Sequence, residues 1–186
     1  MKINEIFYSL QGEGFYAGTP SVFVRFSGCN LKCDFCDTQH QAGVEMTERE
    51  VADAVMRYPA RHVVLTGGEP SLQLTSSLVA MLHEAGRFVA IETNGTHPLP
   101  EAVDWITCSP KYKPVVISRC DELKVVYEGQ DMAQYSHIPA THHFLQPCDR
   151  QDPERNAANV RQVVDYCLAH PDWRISIQLH KVLNIR

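Results

Sequence analysis

His62-Val63-Val64-Leu65-Thr66-Gly67-Gly68-Glu69-Pro70 and, one helical stretch later, Phe88-Val89-Ala90-Ile91-Glu92-Thr93-Asn94-Gly95 bracket the part of the sequence that decides the fold. Each begins with a short apolar run, rich in β-branched residues and without polar alternation, as in a strand buried on both faces. Between them Leu74, Leu78, Met81, Leu82 and Ala85 recur at helical spacing, from a start near Ser71 to a stop at Gly86. Strand, helix and strand in that order predict parallel strands joined by a right-handed crossover. Ligands of such sheets collect at the carboxyl ends of the strands, where Thr66–Pro70 and Thr93–Gly95 fall.

Outward from this unit the alternation continues. Further extended candidates are Ile3–Ser9, Val22–Phe26, Trp105–Cys108, Glu122–Tyr127, His143–Gln146 and Arg174–Leu179, beside His62–Leu65 and Phe88–Glu92. An upstream helix opens with Thr47 and Glu50 in capping-box spacing, carries Val51, Ala54, Val55 and Tyr58 on one face and stops at Pro59. A downstream helix has Asp152 as cap, Pro153 in its first turn, then Val160, Val163, Val164, Cys167 and Leu168. A complete eight-stranded α/β barrel needs about 250 residues. The 186 residues here therefore predict an α/β fold of a shorter kind: one domain over residues 1–186, an open, partial TIM-like barrel with about six core strands and three main helices. Its strand ends would gather Cys29, Thr66–Pro70, Thr93–Gly95, Ser109-Pro110-Lys111 and Gln146-Pro147-Cys148-Asp149 at one mouth.

The composition, 44% hydrophobic and 21% charged, is that of a globular chain with a sizeable core and excludes a disordered one. A net charge of −5 argues against nonspecific nucleic-acid binding, which needs a basic face. No apolar run approaches a membrane span. Met1-Lys2-Ile3-Asn4-Glu5 lacks the long apolar core of a signal peptide, so the chain is expected in the cytosol.

Seven cysteines in a reducing compartment point to metal or redox chemistry rather than disulfides. Cys108, Cys120, Cys148 and Cys167 are scattered and read as small buried hydrophobes. Cys29, Cys33 and Cys36 instead place three thiolates on one loop. Two sites fit them: a 4Fe–4S cluster with three irons held and the fourth open to a small molecule, or a Cys3His zinc site completed by His40.

The cysteine triplet, with Phe35 before its third member and Gly67-Gly68-Glu69-Pro70 one helix and one strand later, resembles the radical S-adenosylmethionine superfamily. Within it, Phe7-Tyr8-Ser9-Leu10-Gln11-Gly12-Glu13-Gly14, Gly18-Thr19-Pro20, Arg25-Phe26-Ser27-Gly28-Cys29-Asn30-Leu31 and Cys36-Asp37-Thr38 are similar to the 7-carboxy-7-deazaguanine synthases. The likeness runs on through Thr93-Asn94-Gly95, Ser109-Pro110-Lys111, Gln146-Pro147 and Gln178-Leu179-His180-Lys181, essentially the whole chain.

That resemblance implies a lyase of queuosine biosynthesis that contracts the ring of 6-carboxy-5,6,7,8-tetrahydropterin to 7-carboxy-7-deazaguanine with release of ammonia. Its cofactors would be a 4Fe–4S cluster on Cys29, Cys33 and Cys36, S-adenosylmethionine, and a magnesium ion on Thr38. Phe35, Cys36, Asp37, Gly67, Gly68, Glu69, Thr93, Ser109, Lys111, Gln146 and Asp149 would border the cofactor. The glycines, lacking Cβ, would let backbone groups approach it closely. Leu10, Gln11, Gly12, Glu13, Arg25, Thr66, His180 and Arg186 would border the substrate. Arg25 interrupts an apolar run, and its planar fork suits a carboxylate; Arg186 would contribute its terminal carboxylate. The family further implies a cytoplasmic homodimer served by an electron donor such as a flavodoxin, with no nucleic acid or membrane involved. The rival readings are a glycyl-radical activating enzyme, which needs an open groove for a polypeptide, and a zinc-stabilised binding module. His62, His83, His142 and His143 carry no assigned role.

Overall fold

The computed structural model describes residues 1–186. Strands β1 (Lys2–Leu10) and β2 (Pro20–Phe26) form an antiparallel hairpin, with Ile6 opposite Val24 and Ser9 opposite Ser21. The two-residue β3 (Val44–Glu45) adds to the outer edge of β1. From β2 onward every pairing is parallel: β4 (His62–Gly67), β5 (Phe88–Thr93), β6 (Trp105–Cys108), β7 (Glu122–Tyr127), β8 (His142–Pro147) and β9 (Trp173–Ile175). The nine strands make one sheet in the order β3-β1-β2-β4-β5-β6-β7-β8-β9. Its two edges do not pair, which leaves an open barrel around six longer parallel strands.

Helices α1 (Glu48–Met56), α2 (Ser76–Glu84) and α3 (Pro153–Ala169) are the crossovers. Their ends obey the sequence chemistry. Thr47 and Glu50 form a reciprocal capping box, and Asp152 caps Glu154 and Arg155 ahead of the Pro153 turn. Period-two alternation in the strands then sorts the faces. Val22, Val24 and Phe26, with Val63, Leu65, Val89 and Ile91, pack under Val51, Val55, Leu78 and Leu82 of α1 and α2. Leu123, Val125 and Leu145 pack under Val163 of α3. The intervening residues Phe23, Arg25, Val64 and Thr66 face the concave side, where no helix lies and a cavity opens.

Two expectations are corrected. The helix placed near Ser71 begins later: Glu69 caps a single 3-10 turn over Pro70–Leu72, and Thr75 caps α2 through a 3.2 Å bond from Leu78 N. The break arises because Gln73 is drawn elsewhere, accepting from Lys2 N at 2.7 Å and donating to Ser27 O at 2.7 Å. The strand expected over Arg174–Leu179 is only Trp173–Ile175. Its last ladder bond is Ser176 N to Leu145 O, and beyond it the chain turns into the short helix α4 (Leu179–Leu183). As an edge strand, β9 has no outer partner to prolong it. No helix is long and apolar enough to cross a membrane.

Candidate active site

The concave face holds a cavity of about 320 Å³, and every residue expected to touch cofactor, substrate or metal lines it. The set runs from Leu10, Gln11, Gly12 and Glu13 through Arg25, the cysteine loop, Thr66–Glu69, Thr93, Ser109, Lys111, Gln146 and Asp149 to His180 and Arg186. Each lies at or beyond the carboxyl end of a parallel strand, in the β1–β2 turn, or on the returning chain end.

The cysteine loop is fixed at its base. Gly28 N donates to His40 O at 2.7 Å, and Asn30 Nδ2 donates to Thr96 Oγ1 at 2.8 Å. On its outer side Arg150 donates to Asp34 at 2.8 Å and to Glu128 at 2.9 Å. The guanidinium of Arg150 and the ammonium of Lys111 both lie 5.6 Å from the centre of the Phe35 ring. All three cysteines are free thiols. Burial raises the Cys29 and Cys33 thiols above their ordinary range, with Lys111 opposing this at Cys33, and Leu31 N points at Cys29 Sγ from 3.4 Å. Soft donors held together in a cavity wall, with a backbone N–H aimed at one sulfur, fit an iron–sulfur cluster. His40 does not line the cavity that Cys29, Cys33 and Cys36 line, which disfavours a zinc site completed by it.

The glycines of the Gly67–Pro70 turn also serve a packing purpose within the protein. A Cβ on Gly68 would stand 1.9 Å from the carbonyl oxygen of Gly28, and one on Gly67 would stand 2.3 Å from that of Phe26. Gly67 also has a φ of +124°. The turn is thus packed backbone-to-backbone against the start of the cysteine loop, joined by Gly68 N to Phe26 O at 3.0 Å and Glu69 N to Gly28 O at 2.8 Å. Glu69 is buried and fully engaged: it accepts from Thr93 Oγ1 at 2.6 Å, Asn94 N at 2.7 Å and Ser71 N at 3.1 Å.

Beside the Gly67–Pro70 turn, where a Cβ on Gly67 would stand 3.0 Å from its Cγ, Arg25 is placed inward by strand alternation and donates through Nε to Glu5 at 2.8 Å. Its two Nη groups have no protein partner, which leaves the fork available to an anion. The chain end returns over this region. Leu179 N donates to Gly12 O at 2.8 Å, and a Cβ on Gly12 would stand 2.2 Å from His180 Nδ1, so glycine there lets the imidazole seat on the turn. Lys181 bridges Asp149 at 2.6 Å and Asp37 at 3.2 Å. Its hydrogen bond, with those from Gln151 N and Asn156, holds the Asp149 carboxyl at about 2. Arg186 pairs with Glu5 and lies over the Phe7 ring, and its carbonyl oxygen accepts from Ser9 at 2.5 Å. The last residue is therefore anchored at the mouth by side chain and main chain together. Thr38 shares a polar depression with Asn4, Glu5, Asp37 and Gln39, lined also by Arg25, His180 and Lys181, with Glu5 paired to Arg25 and Asp37 to Lys181.

Sequence reasoning missed Glu92, Asn94, Lys124 and Gln178, all of which line the cavity. Lys124 interrupts Leu123-Lys124-Val125 as Arg25 interrupts its own strand, and Glu92 ends a buried apolar run; each was legible as an inward charge.

A family model described as the radical SAM superfamily matches residues 23–107. The chain is 59% identical over its full length to a 7-carboxy-7-deazaguanine synthase of Bacteroides thetaiotaomicron, spanning 98% of that protein. It is 45% identical to one from Bordetella pertussis, over 98% of each chain. Its structure resembles a crystal structure of QueE from Escherichia coli with a TM-score of 0.81 at 30% identity, covering 96% of this chain and 94% of that one.

Proposed function

Because the chain belongs to the 7-carboxy-7-deazaguanine synthase family of the radical SAM superfamily, we propose that it converts 6-carboxy-5,6,7,8-tetrahydropterin to 7-carboxy-7-deazaguanine with release of ammonia, in queuosine biosynthesis. The observation that carries this reading is that one cavity is lined by three free thiols, by an arginine whose Nη groups have no protein partner, and by a buried acid cluster.

When bound, the cluster and S-adenosylmethionine supply a one-electron cleavage and a 5′-deoxyadenosyl radical for hydrogen abstraction. Cys29, Cys33 and Cys36 would hold the cluster. Glu69 ties the Gly67–Pro70 turn to the end of β5 through its carboxylate and to the start of the cysteine loop through its N–H. Phe35, Asp37, Thr93, Ser109, Lys111, Gln146 and Asp149 border that end. Arg25 offers its free fork to the substrate carboxylate, while Leu10, Gln11, Gly12, Glu13 and Thr66 border the pterin ring. His180 and Arg186, brought back by α4, cover the mouth and exclude water from the reacting face. Thr38 would offer its hydroxyl to a magnesium ion, which would supply positive charge toward the substrate.

The full-length likeness to 7-carboxy-7-deazaguanine synthases disfavours a glycyl-radical activating role. The functional unit is residues 1–186 acting as one radical SAM domain, in a cytoplasmic homodimer that takes electrons from a flavodoxin-type donor. The test is anaerobic incubation of reconstituted protein with S-adenosylmethionine, reductant and the pterin. Pterin-dependent 7-carboxy-7-deazaguanine is expected; slow release of 5′-deoxyadenosine at a rate indifferent to the pterin would overturn the assignment.

A further inference from the structure

Two carboxylates in the cavity wall share one buried ammonium. Lys124 on β7 has a side chain only 5% exposed and donates to Glu13 Oε2 at 2.7 Å and to Glu92 Oε2 at 2.8 Å. The two acids come from the β1–β2 turn and the end of β5, elements far apart in sequence. Each keeps 19% of its side chain exposed, and both line the cavity. Their remaining oxygens differ. Glu13 Oε1 accepts from Gln146 Nε2 at 3.0 Å and Gln178 Nε2 at 2.9 Å, whereas Glu92 Oε1 has a single long contact from Gln11 Nε2 at 3.3 Å.

We propose that Lys124 is a positioning residue for the substrate, fixing Glu13 and Glu92 side by side as the recognition pair for the aminopyrimidinone edge of the pterin. The inference rests on the substrate reading above. A buried ion pair is in general a poor stabiliser compared with apolar packing, so a lysine buried under a cavity is better understood by what it holds in place. One ammonium between two acids cannot favour both ionised forms equally. Burial would raise Glu13, but Lys124, Gln178 and His180 override it and bring it to about 2. Burial raises Glu92 to about 7, with Glu122 and Glu13 adding to the rise and Lys124 only partly opposing it. Glu122, whose Oε2 accepts from Phe15 N at 2.9 Å, and the ammonium of Lys111 complete the charged surroundings, with Arg174 acting on Glu122 from β9. Near neutral pH the pair therefore presents an acceptor-only carboxylate beside an acid that can still hold a proton. An aminopyrimidinone edge offers two N–H donors beside a carbonyl acceptor, the complementary order.

The test uses reconstituted protein with S-adenosylmethionine bound, titrated anaerobically with 6-carboxy-5,6,7,8-tetrahydropterin by calorimetry at pH 6, 7 and 8. Saturable binding by the wild type checks the substrate reading itself; no binding overturns that reading before any variant is considered. In K124M the pterin dissociation constant should rise at least about tenfold, with S-adenosylmethionine affinity unchanged. Pterin affinity should also fall further as pH drops, because Glu13 without its ammonium takes up a proton at higher pH. In K124R the charge remains and the pH profile should follow that of the wild type, with affinity intermediate. Wild-type affinity and pH profile in K124M, or equal weakening of pterin and S-adenosylmethionine, would overturn the positioning role. Should K124M not fold, K124R decides alone: a wild-type pH profile with pterin affinity selectively lowered supports the role, and full wild-type affinity overturns it.

Discussion

Gly68→Ala is the sharpest perturbation of the cofactor end. The added Cβ would stand 1.9 Å from Gly28 O and 2.5 Å from its carbonyl carbon, where real contacts stay beyond 3.0 Å. The two backbones must separate by about 1.1 Å, and neither can yield as a flexible side chain would. The interlock they form, Gly68 N to Phe26 O and Glu69 N to Gly28 O, loosens with them. Overpacking of this kind costs about 1–3 kcal/mol. Because Cys29 follows Gly28 directly, the strain falls on the cluster loop as well as on the cofactor turn. If it is expressed in ligand affinity, the loss is about five- to a hundredfold. The assay is iron and sulfide per chain after anaerobic reconstitution, together with the S-adenosylmethionine dissociation constant by calorimetry. Both should fall together in Gly68→Ala. Full cluster content with only S-adenosylmethionine affinity reduced would show that the glycine merely clears room for the ligand, and would refute the interlock.

Arg25→Lys keeps the charge but loses the fork, so the Michaelis constant for the pterin should rise about tenfold or more while S-adenosylmethionine binding is spared; insoluble protein would instead assign Arg25 to the Glu5 pair and the fold. Thr38→Ala should diminish the stimulation of turnover by magnesium, and an undiminished magnesium response would remove Thr38 from the ion's site. Extending the carboxyl terminus beyond Arg186 should slow pterin turnover more than cofactor cleavage, since the last residue is tied to Ser9, Glu5 and Phe7 at the mouth. Unimpaired turnover in the extended protein would show that this anchoring is incidental.

The strands and crossovers were legible because their signals are local. Thr47 with Glu50, Asp152 with Pro153, and the apolar runs of β4 and β5 each announce an element without help from the rest of the chain. The misplaced features depend on distant partners. Gln73 delays α2 only because Lys2 and Ser27 claim it, and β9 stops early only because it lies at the sheet edge. Within the cavity, residues carried by motifs were found readily. Lys124 and Glu92 were passed over because they belong to no short motif, and Gln178, though quoted within one, was given no role; their meaning appears only when β5, β7 and the chain end converge on Glu13. The packing role of the glycines in the Gly67–Pro70 turn was not legible, since the carbonyl they make room for lies some 40 residues earlier in the chain.

The central claim is that one cavity binds cofactor and pterin together and carries out the ring contraction with hydrogen returned at the end. The most direct test is anaerobic turnover with pterin in large excess over S-adenosylmethionine, reading 7-carboxy-7-deazaguanine by mass spectrometry. The account predicts product well beyond the S-adenosylmethionine supplied, and none when Cys29, Cys33 or Cys36 is replaced by Ala. Accumulation of 5′-deoxyadenosine without 7-carboxy-7-deazaguanine, or product that survives the loss of those cysteines, would contradict it.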